Sequence, residues 1–398
     1  MKFCKLLLSA VVVFFLFSTA TFAASKQTVT ACGADPTGVK DSSAAIQTCI
    51  NLGGSEAAIY FPPGQYLIKN TLTVSNNNVT LYSDARATAK LMFSGCGDLI
   101  KFSKDTNVIY NGGVRGLWLQ GDGSSCSQTG IHVSDGSWIT IEDAQISGFY
   151  GDTSQASTGI FTNGREGFNV RNVFIEASNP IVLARNPNHP YLDADHFHFE
   201  NIYTTIPANT LRWHIALQDS VSVSNMTIDG QNPMAGGCGI VQWLAPTPSV
   251  SVSNHLKIAN VRHEQMAAGC DKEIDIELAM QLQTLVIDNV ALSGPFPLLG
   301  TAIFLKSVDG LTVRNTTYLN NVGTLGQEAT FINASGTKYI QLENNSVYPY
   351  SKNIDAKDLN GLALVWKAGP YTGKECCYQN RGSGPWIRTP DSGILGQP

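Results

Sequence analysis

Eight near-copies of one short rung occupy the middle of this chain and constrain its fold more than any other feature. They read ITIEDAQIS, FNVRNVFIE, FHFENIYTT, VSVSNMTID, LKIANVRHE, LVIDNVALS, LTVRNTTYL and IQLENNSVY. Each has alternating apolar residues, a central Asn (Asp in the first copy) and a second alternating pair, the pattern of two short strands meeting at a bend. The bend residues are Asp143, Asn172, Asn201, Asn225, Asn260, Asn289, Asn315 and Asn344, 24 to 35 residues apart, which is the period of a stacked repeat. One such unit cannot bury its own apolar face, whereas a stack can. A polar residue inside every bend then needs partners, and the identical bends above and below supply them as a side-chain ladder. A third strand precedes each copy: GIHV, GIFT, PIVL, HIAL, GIVQ, EIDI, AIFL and TFIN, with ALVW after the last. Three short strands per coil predict an all-β protein, a right-handed parallel β-helix of about ten coils.

The chain opens with Lys2 and Lys5, an apolar run from Leu6 to Phe17, and small residues at Thr21, Ala23 and Ala24. This is the pattern of a secretory signal peptide, expected over residues 1–23. The run is too short for a spanning helix, so a secreted protein with no membrane anchor is expected. Setting Cys4 aside leaves eight cysteines, an even number that suits an oxidising compartment. Local pairing predicts Cys32 with Cys49, Cys96 with Cys126 and Cys238 with Cys270. Cys376 and Cys377 are left for each other or for an exchange. No C-x-x-C or His-Cys spacing supports a zinc site instead. Charged residues make up only 14% of the chain and the net charge is −5. Without a basic stripe, nucleic acid is not an expected partner, but an acidic polysaccharide needs only a few local cations.

After the signal, GADPTGVKDSSAAIQTCI reads as a turn and a helix, with Asp41 as N-cap and Ile46, Cys49 and Ile50 on one face. Such a helix would cover the open end of the first coil. Next comes AAIYFPPGQYLIKNTLTVSNNNVTLYSD, with Pro62, Pro63 and Gly64 as the turn between strands. Over about residues 29 to 83 this pairing resembles the N-terminal signature of the pectate lyase superfamily. That group of right-handed β-helices includes pectate lyases, polygalacturonase-like hydrolases, uronate epimerases and phage tailspikes. The resemblance implies this fold and the handling of polysaccharide, but not which reaction. The Asn-Thr-Asp, Asp-Asp, His-Gly and Arg-Ile-Lys strings of polygalacturonases are absent, as is the Arg-x-x-Pro-x-x-Arg string of pectate lyases. No linker interrupts the coils, so 24–368 reads as one domain closed by a Gly- and Pro-rich tail at 369–398. Loops at 184–196 and 229–237 exceed what a turn requires, and such loops are where ligands are met.

Strand alternation sorts the candidate residues. If each Asn and its successor face in, the fourth residue after it faces out: Glu176, Thr205, Asp229, Glu264 and Ser293. With coils about 4.8 Å apart, Asp229 and Glu264 become neighbours. In KEIDIELAM, Glu273, Asp275 and Glu277 are expected outside and Ile274, Ile276 and Leu278 inside. One groove would then hold Glu264, Glu273, Asp275 and Glu277, with Asp229 at its floor. The resemblance places a substrate groove along the same strand. Glycoside hydrolysis needs two carboxyls about 5 to 5.5 Å or about 6.5 to 9.5 Å apart, and crowded acids raise one pKa. The expected roles are Glu264 as general acid and Asp275 as base, with Asp229 assisting. Glu273, Glu277, His214, Trp243, Arg262 and Lys306 are expected to bind substrate, with Trp213, His214 and Trp243 offering faces for sugar rings. Equally, outward acids on a solenoid are mostly solvated surface or pair with Lys272 and Lys306.

His263 falls at an inward position, where a hydrogen-bonded core histidine is expected. His196 and His198, beside Asp193 and Asp195, read as a polar strand next to a loop, and Trp118 and Trp138 as packing residues. Sequons stand at Asn78, Asn225, Asn315, Asn333 and Asn344. Burial in the ladder would bar Asn225, Asn315 and Asn344 from carrying a glycan. The expected function is a secreted, monomeric, polysaccharide-active glycoside hydrolase without a cofactor, acting on a uronate-containing or other cell-wall polysaccharide. One alternative is a calcium-dependent polysaccharide lyase, with the acids as ligands and Arg262, Lys306, Arg185 or Arg212 as base. Another is a non-catalytic carbohydrate-binding or adhesive solenoid.

Overall fold

In a computed structural model the chain is a parallel β-helix of about nine turns. The structure describes residues 25–367 apart from 105–107, 124–125, 152–156, 165, 185–192, 208–210, 219–220, 246–252, 264–269, 295–300, 321–328, 338, 348–350 and 358–362, and beyond 367 only the strand residues 378–380, 388–389 and 393–394. Each coil contributes a strand to a first sheet, turns a corner into a second, and passes the bend into a third. In the first sheet, Gly97–Phe102, Gln128–Val133, Thr158–Thr162, Asn179–Leu183, Ile215–Leu217, Val241–Ala245 and the start of Lys272–Asp288 pair in parallel.

Just ahead of the bend, Val114, Ile141, Val170, Phe199, Ile228, Ile258, Ile287, Val313 and Leu342 stand in one register. All of them are buried. Each contributes roughly 1.5 to 3 kcal/mol of transfer free energy, and only because the next coil covers it. The residue two places further on is Gly116, Asp143, Asn172, Asn201, Gly230, Asn260, Asn289, Asn315 or Asn344, and every one has a positive φ. That conformation explains the composition of the row. Asn and Asp tolerate it among side-chain-bearing residues, and Gly tolerates it freely.

The ladder exists: Asn172 Nδ2 donates to Asp143 Oδ1 at 3.1 Å, Asn201 to Asn172 at 2.8 Å and Asn289 to Asn260 at 2.7 Å. Two expectations about it need correction. The bend asparagines face solvent and only their successors, such as Val173 and Ile202, are buried, so burial does not bar Asn315 or Asn344 from glycosylation. Asn225 is not in the row at all. Phe199 pairs with Ile228 and Glu200 with Asp229, so the bend of that coil is Gly230, and the visible Asn-containing string was five residues out of register.

At the N-terminus the helix Ser43–Gly53 buries Ile46, Cys49 and Ile50 against strands of the first coils, as expected of a cap. Its N-cap is Ser42 rather than Asp41, yet the Asp41 carboxylate still accepts the Ser43 amide at 3.0 Å. Disulfides join Cys32 to Cys49, Cys96 to Cys126 and Cys238 to Cys270. The segment 1–23, Cys376 and Cys377 lie outside the described residues.

Candidate active site on the first sheet

The strand Lys272–Asp288 begins on the outer face of the first sheet and carries three charged side chains there. Lys272 Nζ lies 3.1 Å from Asp275 Oδ1 and 3.1 Å from Glu277 Oε1, so the two carboxylate oxygens stand within twice that distance of each other. Register places Gln242 on one side of Asp275 and Phe304 on the other. Gln242 Nε2 donates to Asp275 Oδ2 at 3.4 Å, and Lys272 Nζ sits 4.2 Å from the centroid of the Phe304 ring. Lys306 pairs with Glu277 in register and is exposed.

The two acids differ in environment. The Asp275 side chain is 5% exposed and that of Glu277 is 38% exposed. Burial pushes the Asp275 carboxyl above its ordinary value, against the opposing pull of Lys272 and Gln242 and with help from the nearby Glu277 charge. Burial by itself would lower Lys272, but the charges and hydrogen bonds of Asp275 and Glu277 outweigh it, and its ammonium is held on more firmly than usual. A protonatable, shielded carboxyl beside a solvent-facing one is the arrangement that acid–base catalysis on glycosides requires.

The rest of the expected groove is arranged differently. Glu273 does not face out, because at this corner both Glu273 and Ile274 turn inward, and both are fully buried. Its carboxylate meets Nδ1 of the equally buried His263, which stands inward as expected. His214 and Trp243 are core residues as well. Trp243 pairs with Ile276 on the inner face and donates Nε1–H to Val221 O at 3.0 Å. The His214 ring lies edge-on to His263 at 5.5 Å and its Nε2 donates to Gly236 O at 3.1 Å. Burial, then the neighbouring His263, lowers its pKa well below the usual histidine value. Trp213 is buried too. Hence none of Glu273, His214, Trp213 or Trp243 can touch a groove ligand directly.

Asp229 stands in the row just before the bend, beside Glu200 and Ala259, and accepts Asn260 Nδ2 at 2.7 Å. That row reaches the far end of the strand Lys272–Asp288, at Asp288, so Asp229 and Asp275 belong to different faces of the coil. Arg262 is exposed on Arg262–His263, in a separate sheet. Glu264 lies outside the described residues.

Sequence reasoning passed over a second polar group on the same outer face. His132 Nδ1 is 2.8 Å from Asp98 Oδ2 and its Nε2 is 3.3 Å from Asn163 Oδ1, with Phe161 edge-on at 4.9 Å. Lys101 is its register partner one coil back. The outward place of His132 in GIHV was the available signal.

A family model described as rhamnogalacturonase A/epimerase, pectate lyase-like, matches residues 27–232, more than half of the chain. The protein belongs to this rhamnogalacturonase A/epimerase, pectate lyase-like family. The matched segment of this family member includes Asp98 and His132 and ends before Lys272. Its fold is similar to that of the Dettilon tailspike protein gp208, with a TM-score of 0.59, 12% identity and coverage of 86% of this chain and 68% of that one. It is also similar to the catalytic unit of the thermostable GH87 alpha-1,3-glucanase from Streptomyces thermodiastaticus strain HF3-3, with a TM-score of 0.51, 16% identity and coverage of 91% and 71%. For tailspike protein 3 of bacteriophage CBA120 the values are 0.51, 9%, 86% and 60%. At these identities the likeness is one of fold. Comparison with curated proteins returns no match.

Proposed function

We propose that this family member is a secreted polysaccharide-active glycoside hydrolase in which Asp275 is the general acid and Glu277 the carboxylate that attacks the anomeric carbon or activates water. The observation that carries the reading is the contrast between the shielded, upward-shifted Asp275 and the open Glu277, both on Lys272. Lys272 has two parts in it. It holds the carboxyls at a spacing compatible with glycoside hydrolysis, and its charge sets how readily Asp275 gives up its proton. Family membership supports a carbohydrate substrate, and the three disulfides together with the signal-like segment 1–23 support export. Exposed Lys306 supplies a cation beside the pair for an acidic sugar.

Reducing-sugar release from polygalacturonate, rhamnogalacturonan and an α-1,3-glucan tests this reading. Native protein should release sugar from at least one, and Asp275→Asn or Glu277→Gln should lower the rate by about 100-fold or more. Native-like rates in both variants would sink the assignment, as would no release from any substrate. Appearance of an unsaturated uronate product instead would identify a lyase.

A further inference from the structure

We propose that Trp138 and His196 form a sugar-stacking site at the corner between the first and second sheets, separate from Asp275 and Glu277. The inference rests on the carbohydrate-active reading above. This corner has its own row of left-handed residues: Asn78, Asn111, Trp138, Gly167 and His196, with φ of 58°, 51°, 59°, 65° and 55°, set in line by the register of the strands that run on from them. Asn and Gly suit that backbone, and a tryptophan does not. A bulky residue held there needs surroundings that over-determine it, and such residues gather at ligand sites.

Those surroundings are specific. A side chain at Gly167 would place its Cβ 2.3, 2.4 and 2.9 Å from Trp138 Cδ2, Cε3 and Cε2, so the indole rests by its face on the glycine backbone. The rest of the side chain reaches solvent, Trp138 being 42% exposed. On the far side of the glycine the His196 ring lies 5.8 Å away at 38°, with Nδ1 2.9 Å from Asp195 Oδ1 and both side chains accessible. Tyr110, the register partner of Ser137 one coil back, is exposed as well.

A flat ring turned to solvent and flanked by an imidazole and a carboxylate matches the apolar and polar surfaces of a sugar chain. The C–H face of one sugar stacks on the exposed side of the indole, while hydroxyls of a neighbouring sugar in the same chain bond to Asp195 and His196, two coils on. A protein partner would call for a wider apolar patch than one indole with charged neighbours. Trp138 lies on Gly136–Glu142, the strand that follows Gln128–Val133, which carries His132. In register, Phe161, Val182, Ala216 and Gln242 lead from His132 to Asp275, five rungs or about 24 Å. A ligand touching both places is therefore an extended chain of several sugar units.

Affinity electrophoresis through gels containing polygalacturonate, rhamnogalacturonan or a soluble α-glucan tests the site. Native protein and Asp275→Asn should both be retarded in at least one gel. In that gel Trp138→Asn, which installs the residue already present at 78 and 111, should bind about tenfold more weakly while keeping a native β-sheet spectrum. If that variant does not fold, exposed His196→Ala decides the matter by the same criterion. Retardation equal to native overturns the proposal, and so does a native protein retarded in none of the gels. Lost binding in Trp138→Asn with no hydrolysis by native protein sinks the hydrolase reading alone. Hydrolysis that needs Asp275, combined with unweakened binding in Trp138→Asn, sinks this one alone.

Discussion

Replacing Asn201 separates the two reasons for an asparagine at the bend. Its φ is +50°, a region that disfavours a Cβ-bearing residue without a compensating side chain by about 1 to 2 kcal/mol. Its Nδ2 donates to Asn172 Oδ1 at 2.8 Å, an exposed hydrogen bond worth about 0.5 to 1.5 kcal/mol net. The following coil has Gly230 in the row, so Asn201 ends this run of the ladder and has only that one ladder bond to lose. Asn201→Ala forfeits both contributions and should destabilise by about 2 to 3 kcal/mol. Asn201→Gly keeps a permissive backbone and should lose only about 1 kcal/mol. Urea unfolding followed by far-ultraviolet circular dichroism, with m-values compared among the three proteins, measures both. Equal losses for Ala and Gly would refute the conformational argument and leave the ladder bond as the whole effect. A loss under about 0.5 kcal/mol in both would refute the row as a determinant of stability.

Four further outcomes follow from the site and the core. Asp275, raised when folded, keeps its proton after the unfolded chain has released it near 3.8. Its contribution to stability is therefore present below that value and is lost as pH rises through the folded one. In its proposed role of general acid it would also fail over that rise, and Lys272→Met should then move the fall in reducing-sugar release to higher pH, because the charge and hydrogen bond of Lys272 pull Asp275 down. His214, lowered by burial, takes no proton when the unfolded chain does. Stability should therefore fall as pH drops below about 6.5, with that part of the slope absent in His214→Gln. Glu273→Ala removes the buried acceptor that His263 Nδ1 meets and should lower stability by about 1 to 3 kcal/mol, while Glu273→Leu combined with His263→Leu should lose much less, as read by urea midpoints. Cys238→Ser with Cys270→Ser opens a loop with a sequence separation of 32 and should lose about 4 kcal/mol, measured by thermal melts of the oxidised and mutant proteins.

The solenoid was legible in the sequence because its cause is local and repeated. Alternation marks which residues a neighbouring coil must cover, left-handed φ selects Asn or Gly at each bend, and two Cys pairs lie about one coil apart while the third ties the cap helix to the first turn. Where the marker changes identity, at Gly230, the string MTIDG no longer looks like its neighbours, and Asn225 stands out in its place. That one misregistration moved Asp229 onto the wrong face. Alternation also fails at corners, since two successive residues can both turn inward there. This is why Glu273 and His214 proved to be core while Asp275, two places on from Glu273, kept its outward side. Whether an outward carboxylate is shielded or open depends on what Lys272, Gln242 and Phe304 bring from three different coils, and no one-dimensional period carries that. The same holds for Trp138, whose indole has a place only because the next coil offers a glycine and the one after it a histidine.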